Sequence, residues 1–181
     1  MQNYYAVFLR AVNVAGKNLI KMAELRDILM QNGFEQVKTY IQSGNLIVSS
    51  KLTKDETRQN IQKVISDHFK LSVETFVWDE ANLSTALANN PFQDNFSGNR
   101  VFITILDKSP KQDRIETLLQ MDLGGEQFEI IGDIFYFYLP DGMAKSKISN
   151  NFIENKLQVK GTGRNRNTIK RVLDLLREIS V

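Results

Sequence analysis

The chain has 181 residues, of which 42% are hydrophobic and 24% charged, and its formal net charge is +2. This composition is typical of a globular protein, and so small a net charge argues against strong global attraction to nucleic acid or to a membrane. The absence of cysteine excludes disulfides, thiol catalysis and thiolate metal sites. No signal peptide and no membrane-spanning stretch is recognisable, so we expect a cytoplasmic protein.

The first half alternates short apolar runs with helical stripes. The predicted elements are, in order, a strand over 4–9, a helix from Met22 to Gly33, strands over 37–41 and 46–49, a helix opened by the capping box of Thr53 and Glu56, and a strand over 73–78. This βαββαβ order is the ferredoxin-like pattern.

The second half repeats most of this order. A helix capped by Asp79 comes before it in the connecting segment. The predicted elements of the second half are a strand over 101–106, a helix opened by Ser109 and Pro110, a hairpin over 128–139, and helices near 148–156 and 167–179. The last helix stands where the pattern would place another strand. The sequence therefore predicts an α+β fold of two ferredoxin-like βαββα halves with antiparallel sheets, intertwined or packed as one body. We expect residues 1–78 and 100–181 to form the halves and 79–99 to connect them.

Several short segments carry a family resemblance. The most distinctive are Leu9–Asn18, Thr39–Asn45, Asn90–Phe92 and Gly161–Asn165. On these segments the chain resembles the bacterial family called domain of unknown function 1697. The resemblance implies two intertwined ferredoxin-like halves, and it implies no activity because the family has none assigned. Ala11 and Ala15 replace glycines that are usual in the family, and Arg166 replaces a usual tryptophan. If the loop needs positive φ at the two alanines, we expect its shape to differ here.

A polar, basic loop follows the first strand and leads into a helix. Its candidate ligand-binding residues are Arg10, Asn13, Lys17 and Asn18. The N-terminus of a helix favours anions, and lysines beside it would add positive charge. The spacing is neither a Walker A motif nor GxGxxG, so no nucleotide cofactor is indicated. An ordinary surface loop, in which the asparagines satisfy turn backbone, explains the same residues.

Gln42, Ser43 and Asn45 lie at the predicted hairpin tip and are further candidates. Ser43 and Asn45 are good turn formers, which alone explains them, whereas Gln42 is less easily explained. We expect this hairpin and the loop after the first strand to lie at opposite ends of the sheet. They would then form a single site only if the other half of the protein bridged them.

The strongest local charge lies near the C-terminus, where residues 145–171 contain eight basic residues and one acid. Arg164, Asn165 and Lys170 are the candidate ligand-binding residues of this basic segment. Arginines at the start of a helix disfavour it unless an anion or an acidic side chain compensates. The pattern indicates contact with phosphate or with a nucleic-acid backbone, and a solvated face paired with acids elsewhere is the alternative.

The leading hypothesis is that Arg10, Asn13, Lys17, Asn18, Arg164, Asn165 and Lys170 bind an anionic or phosphorylated ligand. A nucleic-acid-binding module is one alternative, and it requires an extended basic stripe. A small-molecule enzyme would need a pocket holding Gln42, Ser43, Asn45 or His68, and a structural or oligomeric protein would need an exposed apolar patch. The sequence indicates no catalytic residue, metal site or cofactor. It leaves open the reaction, if any, and the oligomeric state.

Overall fold

Two four-stranded antiparallel sheets organise the chain, which a computed structural model describes over residues 2–180. The contacts within the chain divide it into two units. The first unit comprises residues 1–84 with 171–181, and the second unit comprises residues 85–170. The predicted limits of the two halves at residues 78 and 100 stay a prediction.

The first unit contains the elements predicted for a ferredoxin-like half. They are β1 (Asn3–Leu9), α1 (Met22–Gln31), β2 (Gln36–Tyr40), β3 (Asn45–Ser50), α2 (Lys54–Phe69) and β4 (Thr75–Trp78), and α3 (Glu80–Ala88) follows. The strand order is β2-β3-β1-β4. One face of β1, through Val7 and Leu9, packs into a core that includes Leu25 of α1 and Ile61 of α2.

The second unit has the same strand order. Its elements are β5 (Val101–Leu106), α4 (Gln112–Leu119), β6 (Gln127–Ile131), β7 (Ile134–Tyr138), a short 3-10 helix (Met143–Lys145), α5 (Asn150–Leu157) and β8 (Gly161–Asn165), and α6 (Arg166–Ile179) follows. The order β6-β7-β5-β8 corresponds strand by strand to that of the first unit. The prediction of two ferredoxin-like halves with antiparallel sheets is confirmed.

Strand β8 is the element that the sequence prediction missed. Its residues, Gly-Thr-Gly-Arg-Asn, lack the apolar and β-branched side chains that mark a strand. Two glycines are needed because β5 passes close by. A Cβ added at Gly161 would lie 2.9 Å from Cγ2 of Thr104, and one at Gly163 would lie 2.9 Å from Oγ1 of the same residue. The second unit is therefore a complete βαββαβ module.

In both units, the end of the first strand (β1 or β5) is hydrogen-bonded to a neighbouring hairpin connection. After β1, the amide of Leu9 donates to the carbonyl of Gly44 (2.8 Å) in the β2–β3 connection. After β5, the amide of Leu106 donates to the carbonyl of Asp133 (2.9 Å) in the β6–β7 connection. The ends of β1 and β5 therefore each lie beside a hairpin tip. Within residues 2–180, no helix combines the length and the apolar character needed to cross a membrane.

Candidate functional site

The loop after β1 and the β2–β3 hairpin lie together. Strand β3 runs antiparallel to β1, with Asn45 opposite Phe8, so the start of β3 lies beside the end of β1. The side-chain amide of Asn13 donates to the carbonyl of Gln42 at 2.7 Å. The expectation that the two segments lie at opposite ends of the sheet was wrong, because an antiparallel neighbour brings its preceding turn to the end of the strand that it pairs with.

The β1–α1 loop, residues 10–21, has an unusual backbone. Five of its residues have positive φ: Ala11 (53°), Asn13 (54°), Ala15 (50°), Gly16 (73°) and Asn18 (48°). For residues other than glycine this left-handed conformation costs roughly 1–2 kcal/mol each. Ala11 and Ala15 adopt the left-handed conformation themselves. Alanine in place of the glycine that the resemblance leads one to expect therefore adds backbone strain and does not require a different loop shape.

Two asparagines hold this backbone in place. The side chain of Asn13 accepts from the amide of Ile20 and donates to the Ile20 carbonyl, both at 2.9 Å. The side chain of Asn18 donates to the carbonyl of Ala11 at 3.0 Å. The amide of Lys17 donates to the carbonyl of Val14 at 2.9 Å and closes a tight turn at the loop tip. Asn13 and Asn18 therefore stabilise the backbone of their own loop, which agrees with the ordinary turn interpretation.

Positive charge on the β1–α1 loop is exposed. Residues 10–21 include Arg10, Lys17 and Lys21 and contain no acid. Lys17 and Lys21 are exposed, and no carboxylate among residues 2–180 lies within 4 Å of either. Arg10 is half-buried, and its amide donates to the carbonyl of Glu74 at 2.9 Å. Lys21 also precedes the first turn of α1 and makes no side-chain cap there.

The β2–β3 turn, residues 41–44, is built by its neighbours. The buried side chain of Asn45 donates to the carbonyl of Tyr40 (3.1 Å) and to the hydroxyl of Ser43 (2.9 Å). These contacts agree with the turn interpretation of Ser43 and Asn45. Ile41 has a φ of 52°, although β-branched residues almost never adopt positive φ. Gln42 is exposed beside the β1–α1 loop.

The basic segment is built differently. Arg164 on β8 is buried, and its guanidinium donates to the hydroxyl of Thr162 and the carbonyl of Gly163, both at 2.8 Å. Burial lowers the pKa of Arg164 to about 10, which still leaves it charged at neutral pH. The side chain of Asn165 accepts from the amide of Thr168 at 2.8 Å and so caps α6.

Arg166 is also buried, and it fixes the segment that precedes β5. Its guanidinium donates to the carbonyls of Phe92 (2.7 Å) and Phe96 (2.8 Å). The carboxylate of Asp94 lies 4.0 Å from this guanidinium and 3.8 Å from the ammonium of Lys170. Asp94 therefore places one acidic side chain near Arg166 and Lys170 at the start of α6.

Two surface cavities and the single histidine do not involve the candidate residues. One surface cavity of about 310 Å³ is lined by Gln62, Lys63, Ser66, Ser72, Val73 and Glu74. Another, of about 380 Å³, is lined by residues of α5 and of the segments beside it. His68 is exposed in the last turn of α2. The described residues contain no group of three or more His, Cys, Asp or Glu side chains that could hold a metal ion.

Comparison with known proteins identifies the family. Residues 1–136 match the family described as "Protein of unknown function (DUF1697)". The chain belongs to this family. The DUF1697 match includes the whole β1–α1 loop and the β2–β3 turn, and the resembling segment Gly161–Asn165 lies beyond it.

One solved structure is similar to this DUF1697 chain over nearly its whole length. It is described as the structure of conserved bacterial protein SP0830 from Streptococcus pneumoniae. The two chains share 23% sequence identity with a TM-score of 0.73, and the alignment covers 97% of this chain and 99% of that one. A likeness at this level of identity shows the fold alone. No curated protein matches the chain.

Sequence reasoning missed part of this surface. It singled out polar residues and passed over the exposed aliphatic side chains of Val14, Leu19 and Ile41. No periodicity marks them, because the loop and the turn have none. The length of the β1–α1 loop was the available signal, since most strand-to-helix connections in α/β units are only two to six residues long.

Proposed function

We propose that this DUF1697 protein binds an anionic ligand, such as a phosphorylated molecule, on the β1–α1 loop and the adjoining β2–β3 turn. One observation supports the proposal most strongly. The β1–α1 loop has twelve residues, five of them with positive φ, whereas the equivalent β5–α4 loop, residues 107–111, is only five residues long. The fold needs only the shorter connection. Strain that the fold does not require is typical of functional sites.

The chemistry of the loop suits an anion. Lys17 and Lys21 supply exposed positive charge, and no carboxylate among residues 2–180 lies within 4 Å of either, although Glu24 occupies the first turn of α1. At the loop tip, the exposed amides of Ala15 and Gly16 donate to no described residue, and successive amides of this kind form anion-binding concavities. The first turn of α1 adds further unpaired amides and a partial positive charge.

The remaining candidates divide by role. In this proposal Lys17, Lys21 and Gln42 contact the ligand, and Arg10 adds charge from its half-buried position. Asn13, Asn18, Ser43 and Asn45 are positioning residues that maintain the backbone. The proposal does not require Arg164, Asn165 or Lys170, and their part in ligand binding stays a prediction.

A thermal-shift titration tests the proposal. The probes are pyrophosphate, a nucleoside triphosphate, a phosphosugar and poly-glutamate, each added to the full chain at low salt. A ligand at one hundred times its Kd stabilises a protein by about 2.7 kcal/mol. We expect at least one probe to raise the Tm by several degrees, because 1 kcal/mol corresponds to about 2–4 °C in a chain of this size.

Paired lysine variants provide the control. We expect Lys17→Ala with Lys21→Ala to abolish the shift. Lys51→Ala with Lys63→Ala removes the same charge from exposed surface ion pairs and should leave the shift intact. Equal shifts in the two double variants would contradict the proposal, as would the absence of a shift with every probe.

A further inference from the structure

The surface formed by the β1–α1 loop and the β2–β3 turn exposes aliphatic side chains as well as charge. Val14, Leu19 and Ile41 are 58%, 69% and 52% exposed, and they are three of the seven large apolar side chains exposed among residues 2–180. The remaining four lie on other elements. Exposed apolar groups that gather in one place mark interaction surfaces, whereas scattered ones need no explanation.

Hydrogen bonds join the backbone segments that carry these aliphatic residues. The side chain of Asn13 contacts the carbonyls of Ile20 and Gln42, which are the chain neighbours of Leu19 and Ile41. Val14 directly follows Asn13 and belongs to the tight turn at the loop tip. The three residues therefore belong to segments that one hydrogen-bonded framework joins.

Ile41 is costly to the free protein in two ways. Its positive φ is strained for a β-branched residue, and about half of its apolar side chain faces water. Asparagine or glycine would form the same turn at lower cost. Nothing in the turn itself needs an isoleucine, so its side chain indicates a contact outside this chain.

We propose that the ligand of this surface is an acidic, aliphatic segment of a partner protein. The inference rests on the proposed function and names its ligand class. Charge complementarity supports it: Lys17 and Lys21 are exposed, and no carboxylate among residues 2–180 lies within 4 Å of either, so the matching partner surface is acidic. Val14, Leu19 and Ile41 provide the apolar contact that a simple anion would leave exposed to water.

A nucleic acid fits this surface less well. Proteins that bind single strands stack the bases on aromatic side chains, and none of residues 10–21 or 41–44 is aromatic. A phosphate backbone would engage the lysines and leave the aliphatic side chains in water. A protein segment that carries both carboxylates and leucines would cover both groups.

Fluorescence anisotropy with short labelled probes tests this inference. The probes are a peptide of Glu and Leu, the same peptide with Ser at each Leu, and a single-stranded oligonucleotide. We expect the Glu/Leu peptide to bind the full chain at least tenfold more tightly than the Glu/Ser peptide or the oligonucleotide. Burial of one leucine-sized side chain contributes enough for such a factor.

Three variants separate apolar contact from unfolding. Leu19→Ser should weaken the Glu/Leu peptide about tenfold, whereas Leu119→Ser, at a 62% exposed position of α4, should leave it unchanged. Ile41→Asn should weaken the peptide while it raises the Tm, because asparagine tolerates positive φ. A structural defect would lower both the affinity for the peptide and the Tm.

The outcomes distinguish the two proposals. If the Glu/Ser peptide or the oligonucleotide binds as tightly as the Glu/Leu peptide, the aliphatic contact is overturned and anion binding survives. Unchanged Glu/Leu binding in Leu19→Ser and Ile41→Asn also overturns the aliphatic contact. If no acidic probe and no phosphorylated probe binds, both proposals fall.

Discussion

The two units use one topology and differ in the connections that follow β1 and β5. In the first unit, twelve residues connect β1 to α1 and four connect β2 to β3. In the second unit, the equivalent connections have five residues (107–111) and two (132 and 133). The backbone hydrogen bonds from Leu9 and Leu106 to the neighbouring turns match within 0.1 Å. The frameworks are therefore equivalent, and the additional chain in the first unit does not serve the fold.

The positive charge of the molecule shows the same division. Arg164 at the end of β8 and Arg166 at the start of α6 are buried and donate hydrogen bonds to neighbouring backbone carbonyls. Lys17 and Lys21 of the β1–α1 loop are exposed. A count of basic residues favoured the C-terminal segment, although two of its arginines are buried, whereas Lys17 and Lys21 of the loop are exposed without an ion pair among residues 2–180. Burial decides which charges can meet a ligand, and composition alone does not report burial.

The largest expected effect tests the structural role of the basic segment. Arg166→Ala leaves the carbonyls of Phe92 and Phe96 without their donor, and hydrogen bonds from a charged group contribute about 1.5–3 kcal/mol each. We expect a loss of about 3–5 kcal/mol in the free energy of unfolding, measured by urea denaturation. Arg171→Ala breaks only an exposed ion pair with Glu178 and should cost less than about 1 kcal/mol. Similar losses would mean that Arg166 is no more structural than a surface arginine.

The two hairpin turns offer the next test. Gly44 has a φ of +79°, and a Cβ there would lie 2.5 Å from Cγ2 of Val12 and 2.8 Å from Cβ of Leu9. Gly44→Ala should therefore cost about 2–4 kcal/mol, from backbone strain and overpacking together. Gly132 in the equivalent turn has a φ of +62° and no atom within 4 Å of the added Cβ. Gly132→Ala should cost only about 1 kcal/mol in the same denaturation measurement.

A result in which both alanine variants lose equal stability would remove the contrast between the turns. It would show that the backbone around Val12 can shift at little cost to accommodate a Cβ at position 44. The proposed preorganised surface requires the opposite, because its geometry depends on the close contact of Gly44 with Val12 and Leu9.

Most of the fold could be predicted from the sequence because local signals agreed with the topology. The capping box of Thr53 and Glu56, the Asp79 cap and the positive φ of Gly33 are all present. Strand β8 could not be predicted, because its glycines are required by the close approach of the Thr104 side chain, which lies on a strand distant in sequence. Long-range packing of this kind leaves no local pattern.

The candidate site could be predicted only in part. The polar residues of the loop and the turn were identified, but their meeting depends on the pairing of β1 with β3. The burial of Arg164 and Arg166 depends on the sheet and on the segment before β5, and the charge pattern gave no sign of it. The left-handed conformation of Ala11, Ala15 and Ile41 opposes their intrinsic preferences, so propensity pointed away from it.

Relief of strain in the β1–α1 loop should have a smaller effect of opposite sign. Glycine adopts positive φ freely, so Ala11→Gly and Ala15→Gly remove roughly 1–2 kcal/mol of strain each and return part of it as unfolded-state entropy. We expect each variant to gain about 0.5–1 kcal/mol in urea denaturation. Ala23→Gly, at an exposed position in α1, should instead lose about 1 kcal/mol. A loss at all three positions would show that the loop is not strained.

A final pair of variants compares the equivalent helices α2 and α5. Thr53 and Glu56 form a reciprocal capping box on α2, and the hydrogen bonds from Thr53 lower the pKa of the Glu56 carboxyl below its ordinary value of 4.5. Ser149 caps α5 at the amide of Phe152, a residue with no carboxyl to return the bond. Removal of either cap, by Thr53→Ala or Ser149→Ala, should cost about 1 kcal/mol at neutral pH.

The two caps should respond differently to acid. A carboxyl whose pKa is lower in the folded state stabilises the protein above its unfolded pKa, and this contribution is lost as the pH falls through the folded value. The difference between the wild type and Thr53→Ala should therefore shrink as the pH falls below 4.5. The difference for Ser149→Ala should stay constant over that range, since no carboxyl takes part in its cap. Denaturation series at several pH values would reveal the contrast, and a parallel response of the two variants would show that Glu56 does not contribute through its charge.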